Sequence, residues 1–115
     1  MTGDLHERLF NFAINVIKYL RTLPEDPEFK VIRYQLIKSS SSVGANYEEA
    51  QAGSSRADFF NKVSIALKEN PESNYWLRMI AALIGNENEL EILVKESHEL
   101  KLILGKIVSK SKKQE

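Results

Sequence analysis

The chain has 115 residues, enough to bury one core but not two. Its 43% hydrophobic and 28% charged residues are the balance of a folding globular domain, and 16 Lys and Arg offset 16 Asp and Glu, so no overall field draws nucleic acid or anionic membrane to it. Cysteine is absent, which excludes disulfides, thiolate catalysis and zinc-thiolate sites and fits a reducing compartment.

The opening "MTGDLHERLFNF" lacks the basic region, apolar run and cleavage site of a secretory leader, and no stretch reaches the ~18 apolar residues of a membrane span. A soluble, cytoplasmic protein is expected. Asp4, with Glu7 three residues on, predicts a capping-box start for a helix near 4–22, stopped before Pro24. Within it Leu9, Phe10, Phe12, Ala13, Ile14, Val16, Ile17, Tyr19 and Leu20 are apolar, while Arg8, Asn11, Asn15 and Lys18 form a narrow polar stripe. A surface helix needs an apolar arc of little more than ~100°. This arc is far wider and implies a second covered face, and since each helix of a four-helix bundle occupies a corner, a homo-oligomer is expected.

Asp26 before Pro27 marks the start of a second helix near 27–52, closed by Gly53. Its middle, "KSSSSVGANYEEA", resembles a linker in composition. Yet Phe29, Ile32, Leu36, Val43, Tyr47 and Ala50 keep helical phase through the serines, which a linker has no reason to do. Each serine costs about half a kcal/mol of helix propensity and Gly44 about one. The offset expected is close packing, with Ser39, Ser40, Val43 and Gly44 forming a small-residue face that another backbone approaches. A phosphate cradle is the weaker alternative, because no G-x-x-x-x-G-K-[ST] pattern follows a strand.

Ser55 caps a third helix near 55–84, with Val63, Ala66, Asn70, Ser73, Leu77, Ile80 and Ile84 on one stripe. Pro71 sits inside it and predicts a kink or a division into two helices. Gly85 closes it, and Asn86 with Glu89 opens a fourth near 87–110, seamed by Leu90, Leu93, Ser97, Leu100, Leu104 and Ile107. Glu87, Glu89 and Glu91 at its start, with Lys106 and Lys110 at its end, suit the helix dipole. A basic tail over 109–115 is expected to fray. The fold class is all-α: one up-down antiparallel four-helix bundle over 1–115.

Catalytic chemistry has no visible carrier. His6 and His98 stand alone, outside H-E-x-x-H and the Glu-x-x-His pairs of bundle di-iron sites, so no metal or cofactor is expected. The serines lack a G-x-S-x-G elbow or S-x-x-K partner, and Glu48 and Glu49 point about 100° apart. A non-enzymatic protein is expected. Asn46, Asn70 and Asn74 predict a polar layer fixing the second helix against the third, with a core ligand site as the alternative. Trp76 and Tyr75 are placed to stack on a base or, more ordinarily, to pack against a neighbouring helix.

The run "IKSSSSVGANYEEAQAGSSRADFFNKVSIALKENPESNYWLRMI" resembles the four-helix-bundle family encoded by intervening sequences within bacterial 23S rRNA genes. "SSVGANYEEA", "S-R-A-D-F" with "SIALKE", and "E-S-N-Y-W-L" carry the likeness, and the outer helices match by pattern. Pro71 departs from the helix former usual there. The resemblance implies a bundle assembled into a ring, a homopentamer with a basic opening, and binding of rRNA or of the excised intervening RNA. It also implies an alternative, since a related branch serves as accessory subunits of reverse transcriptases in diversity-generating retroelements.

RNA binding by a neutral chain requires several cations on one face. The candidates are the stripe with Arg8 and Lys18, Arg33 with Lys38, Arg56 with Lys62, and Lys110, Lys112 and Lys113 of the tail. The ordinary alternative for each is a solvated helix face.

Overall fold

The computed structural model describes residues 2–53 and 55–113, and these residues form four helices: α1 (Thr2–Leu20), α2 (Pro27–Ala52), α3 (Arg56–Ile84) and α4 (Asn88–Lys113). The helices run alternately up and down in a rod 47 Å long and 20 Å across. Pairing of Ser39 with Ser73, Glu49 with Lys62, Arg8 with Glu96 and Tyr19 with Glu87 sets the antiparallel registers. Each helix packs on two neighbours, and the diagonal pairs α1 with α3 and α2 with α4 do not meet.

The sequence stripes become the core. Phe29, Ile32, Leu36, Val43, Tyr47 and Ala50 are all buried, so the phase through the serines is structural, and Ser39 and Ser40 are buried with them. On the third stripe only Ile84, at the open end of α3, stays exposed. Burying each large apolar side chain contributes about 1.5–3 kcal/mol, which outweighs the propensity cost of the serines.

Several boundaries differ from the sequence expectation. α1 begins at Thr2, so Asp4 lies inside the first turn instead of capping it, where a carboxylate still complements the helix dipole. Asp26 makes no side-chain cap bond, whereas the Ser55 hydroxyl accepts from the Asp58 amide at 3.1 Å as expected. The first α4 bond runs from the Glu91 amide to the Glu87 carbonyl, which puts Glu87, not Asn86, at the cap. Its freed carboxylate accepts from the Tyr19 hydroxyl at 2.6 Å and straps α4 to the end of α1. α4 continues to Lys113 through the stretch expected to fray, and Gln114 and Glu115 of that tail lie outside the described residues. α3 passes unbroken through Pro71, which is exposed on its outer side, so the predicted division does not occur.

The polar layer is wired differently from the expectation. Asn70 donates to the Ser97 carbonyl at 2.6 Å and Asn74 to the Ser97 hydroxyl at 2.8 Å, so the amides lock α3 to α4. The Ser73 hydroxyl donates to that of Ser39 at 2.9 Å and links α3 to α2. Asn46 stays within its own helix, donating to the Ser42 carbonyl and hydroxyl. Gly44 supplies the close approach, but to α1: a Cβ built there would lie 3.5 Å from the Leu9 Cβ.

Candidate functional site

Clefts open on the α1/α4, α1/α2 and α3/α4 faces of the bundle. No helix among the described residues is long and apolar enough to cross a membrane. The α1/α4 face carries the polar stripe of α1, and there Arg8 is already engaged. Its Nε and Nη2 grip the Glu96 carboxylate at 3.0 and 2.6 Å, and Nη2 also reaches Glu99 at 3.4 Å. The hydrogen bond to Glu96 raises the Arg8 pKa above its ordinary value. Lys18 lies exposed farther along, in a shallow cleft with Asn15, Tyr19, Glu89 and Ile92. Burial, aided by the bond to Glu87, pushes the Tyr19 pKa upward.

The other predicted cations scatter. Arg33 closes the α1–α2 turn, donating to the carbonyls of Leu20 at 3.1 Å, Leu23 at 2.7 Å and Pro24 at 2.9 Å. Lys38 projects outward from α2, and Lys62 pairs with Glu49 across α2 and α3 at 2.9 Å. Arg56 begins α3 and Lys110 and Lys112 end α4, so the antiparallel register brings these three to one end of the rod, whereas the Lys113 side chain lies outside what the structure describes. Arg8, Arg33 and Lys62 are thus engaged within the bundle, and the remainder do not form one face.

The α1/α2 face is apolar. Phe10, Ala13, Ile14 and Ile17 of α1 line a groove opposite Ser41, Gly44 and Ala45 of α2, with His6 and Glu48 paired at its rim at 3.2 Å. Phe10 is 59% exposed, and Tyr34, two turns along α2, is 65% exposed. This is the second apolar face that the α1 sequence implied, open in the single chain.

The whole-chain pattern and this architecture can be set beside known proteins. The model of the 23S rRNA-intervening sequence protein family matches residues 4–106. The chain belongs to that family. The crystal structure of a Bacteroides thetaiotaomicron protein of unknown function, from the S23 ribosomal protein family, is 31% identical, with a TM-score of 0.81 over 90% of this chain and 97% of the other. No curated protein matches.

Within this 23S rRNA-intervening sequence protein, the α3/α4 face holds charge that the sequence reading passed over. Arg78 and Lys95 line one groove there with a single acid, Glu91. By helical spacing Lys68 shares a side of α3 with Tyr75, and Arg78 lies about 80° round from Lys68, while on α4 Lys101 lies about 120° round from Lys95; all four cations are exposed. Among the described residues none of the four is in an ion pair. On α3 the signal is present in the sequence as the spacings of seven and three that link Lys68, Tyr75 and Arg78 away from the buried stripe.

Proposed function

We propose that this protein is a non-enzymatic, cytoplasmic bundle that self-associates and binds RNA, rRNA or intervening-sequence RNA, through its phosphate backbone. The observation that carries the reading is charge placement: acids engage Arg8 and Lys62, while among the described residues the exposed Lys68, Lys95 and Lys101 are in no ion pair and can meet an anionic partner. Family membership supports RNA as that partner. Backbone contacts would give affinity without sequence preference and a strong salt dependence. The assembly is a homopentamer by family resemblance, with the α1/α2 face covered by neighbouring copies.

Binding of the purified protein to labelled 23S rRNA fragments, over a salt series, tests the reading. Binding that weakens linearly in log salt is expected, and no binding at low salt would overturn it. Light scattering should give five times 13.1 kDa, and a monomer mass would overturn the assembly. A second reading, as an accessory subunit that docks a partner protein such as a reverse transcriptase, is favoured by the exposed Phe10 and Tyr34 beside the α1/α2 groove.

A further inference from the structure

We infer that the α3/α4 face is a binding site for single-stranded RNA, in which Lys68, Arg78, Lys95 and Lys101 follow the backbone and Tyr75 stacks on a base. The inference rests on the RNA reading above and gives it a surface and a strand state.

Charge marks this face. In a chain of zero net charge Arg78 and Lys95 line a groove here with Glu91 as its acid, Lys95 also borders the α1/α4 cleft with Glu96 and Glu99, and Lys68 and Lys101 flank the groove on their own helices. Glu99 bounds the site on α4 and is turned to Arg8. Glu72 bounds it on α3, about 60° round the helix from Tyr75. Lys68 and Arg78 are ten residues apart, about 15 Å along the axis, and Lys95 and Lys101 are six apart, about 9 Å. The cations are therefore spread along and around the two helices, about 80° apart on α3 and about 120° on α4, and are not gathered at a point.

The aromatic group selects the strand state. Tyr75 lies between Lys68 and Arg78 along α3 and keeps half its surface exposed. Trp76 meets its ring edge-on at 5.3 Å and 80°, and the Arg78 guanidinium lies over the ring, 5.9 Å from its centroid. Arg78 is itself steadied by a 2.8 Å hydrogen bond to Asn74, whose amide is anchored on Ser97 in the buried layer. A half-exposed ring flanked by cations is the arrangement by which proteins hold unpaired bases, each stacked base adding about five- to 150-fold in affinity. A duplex keeps its bases within the stack and offers this ring only sugar and phosphate.

The chain supplies its own reporter, since Trp76 is the sole tryptophan and touches the proposed platform. A labelled oligouridylate of about ten nucleotides is titrated in parallel with a duplex of equal length, following anisotropy and Trp76 emission. The single strand should bind more tightly and change the Trp76 emission. Log affinity should fall with log salt at a slope of about −2.8, four phosphates at about 0.7 each. Glutamine at any one of Lys68, Arg78, Lys95 or Lys101 should flatten that slope by about 0.7. Tyr75→Ala should lose about five- to 150-fold with the slope unchanged. Lys38→Gln, outside this face, should change neither. Every substituted side chain is exposed, and circular dichroism checks that the helices are retained.

The failures are separable. If the protein binds rRNA but the fourfold glutamine variant keeps its affinity and slope, the surface is wrong and the RNA reading stands. Preference for the duplex, with Tyr75→Ala indifferent, would overturn the strand state. Binding of neither probe nor any rRNA fragment would overturn both readings.

Discussion

Substitution of Gly44 tests the packing explanation of the serine-rich helix with two variants of opposite sign. A Cβ at Gly44 would lie 3.5 Å from the Leu9 Cβ, 3.6 Å from the Leu9 carbonyl carbon and 3.7 Å from its oxygen, all ordinary contact distances. Gly44→Ala therefore fits. It also removes the conformational freedom that makes glycine unfavourable within a helix, so it should stabilise by roughly 0.5–1 kcal/mol. Gly44→Leu places further carbons beyond that Cβ, and helical side chains lean toward the preceding turn, here along the wall formed by Leu9 and Ala13. The α1 backbone has to shift, at about 1–3 kcal/mol, partly offset by the gain in propensity. Urea melts followed by far-UV circular dichroism should show the midpoint rising for alanine and falling for leucine with the slope unchanged. Thermal midpoints should move by roughly 4 °C per kcal/mol. Leucine at no cost would show that α1 does not press on α2 there, and destabilisation by alanine would show that the approach is closer than a methyl allows. Either result would refute the packing account of "SSSSVGA".

Ser39→Ala should cost about 1–3 kcal/mol by stranding the buried Ser73 hydroxyl, whereas Ser73→Ala should cost less because the Ser39 hydroxyl still donates to the Leu36 carbonyl, and the double variant should come close to wild type, as a double-mutant cycle in urea would record. Arg8→Ala should cost no more than about 1 kcal/mol, because both partners are partly solvated, and the difference should shrink in high salt. Burial raises the pKa of both Tyr19 and Tyr47, with Glu87 adding to the shift at Tyr19. The folded state therefore holds these phenols neutral where the unfolded chain ionises, so their contribution is complete below about pH 10 and is lost as pH rises further. Thermal midpoints between neutral and strongly alkaline pH should fall less steeply for Tyr19→Phe than for wild type, and an equal fall would refute the assignment.

What the sequence made legible follows from how local the signal is. Helical phase needs only spacing, so Leu36, Ser39, Ser40, Val43 and Tyr47 could be placed in the core although four serines argued for a linker. Spacing does not say which neighbour a buried group meets. Asn70 and Asn74 were placed on a buried stripe but assigned to the wrong helix, because their partner Ser97 is selected by bundle geometry. Nor does spacing show that Arg33 engages three carbonyls, which the turn after α1 brings together. The α3/α4 cations failed differently: the spacing of Lys68, Tyr75 and Arg78 within α3 was visible, but the meeting of Arg78 with Lys95 across one groove depends on the register that Asn74 and Ser97 fix.

That register has a consequence for how the two proposed surfaces coexist. Because α1 packs on α2 and α4, and α3 on the same two, the α1/α2 and α3/α4 faces lie on opposite sides of a rod 20 Å across. A neighbour covering Phe10 and Ile17 would leave Lys68, Tyr75 and Lys95 open, so assembly and RNA binding should be separable by mutation. Phe10→Ser changes an exposed side chain and no charge, and light scattering should report the loss of the assembly. A short oligouridylate should still bind each protomer with a slope of about −2.8. Long RNA that spans several protomers should bind more weakly, because linked sites no longer act at high effective concentration. Loss of short-oligonucleotide binding on dissociation would instead mean that the site is completed by a neighbouring copy, and the single-protomer site would be wrong.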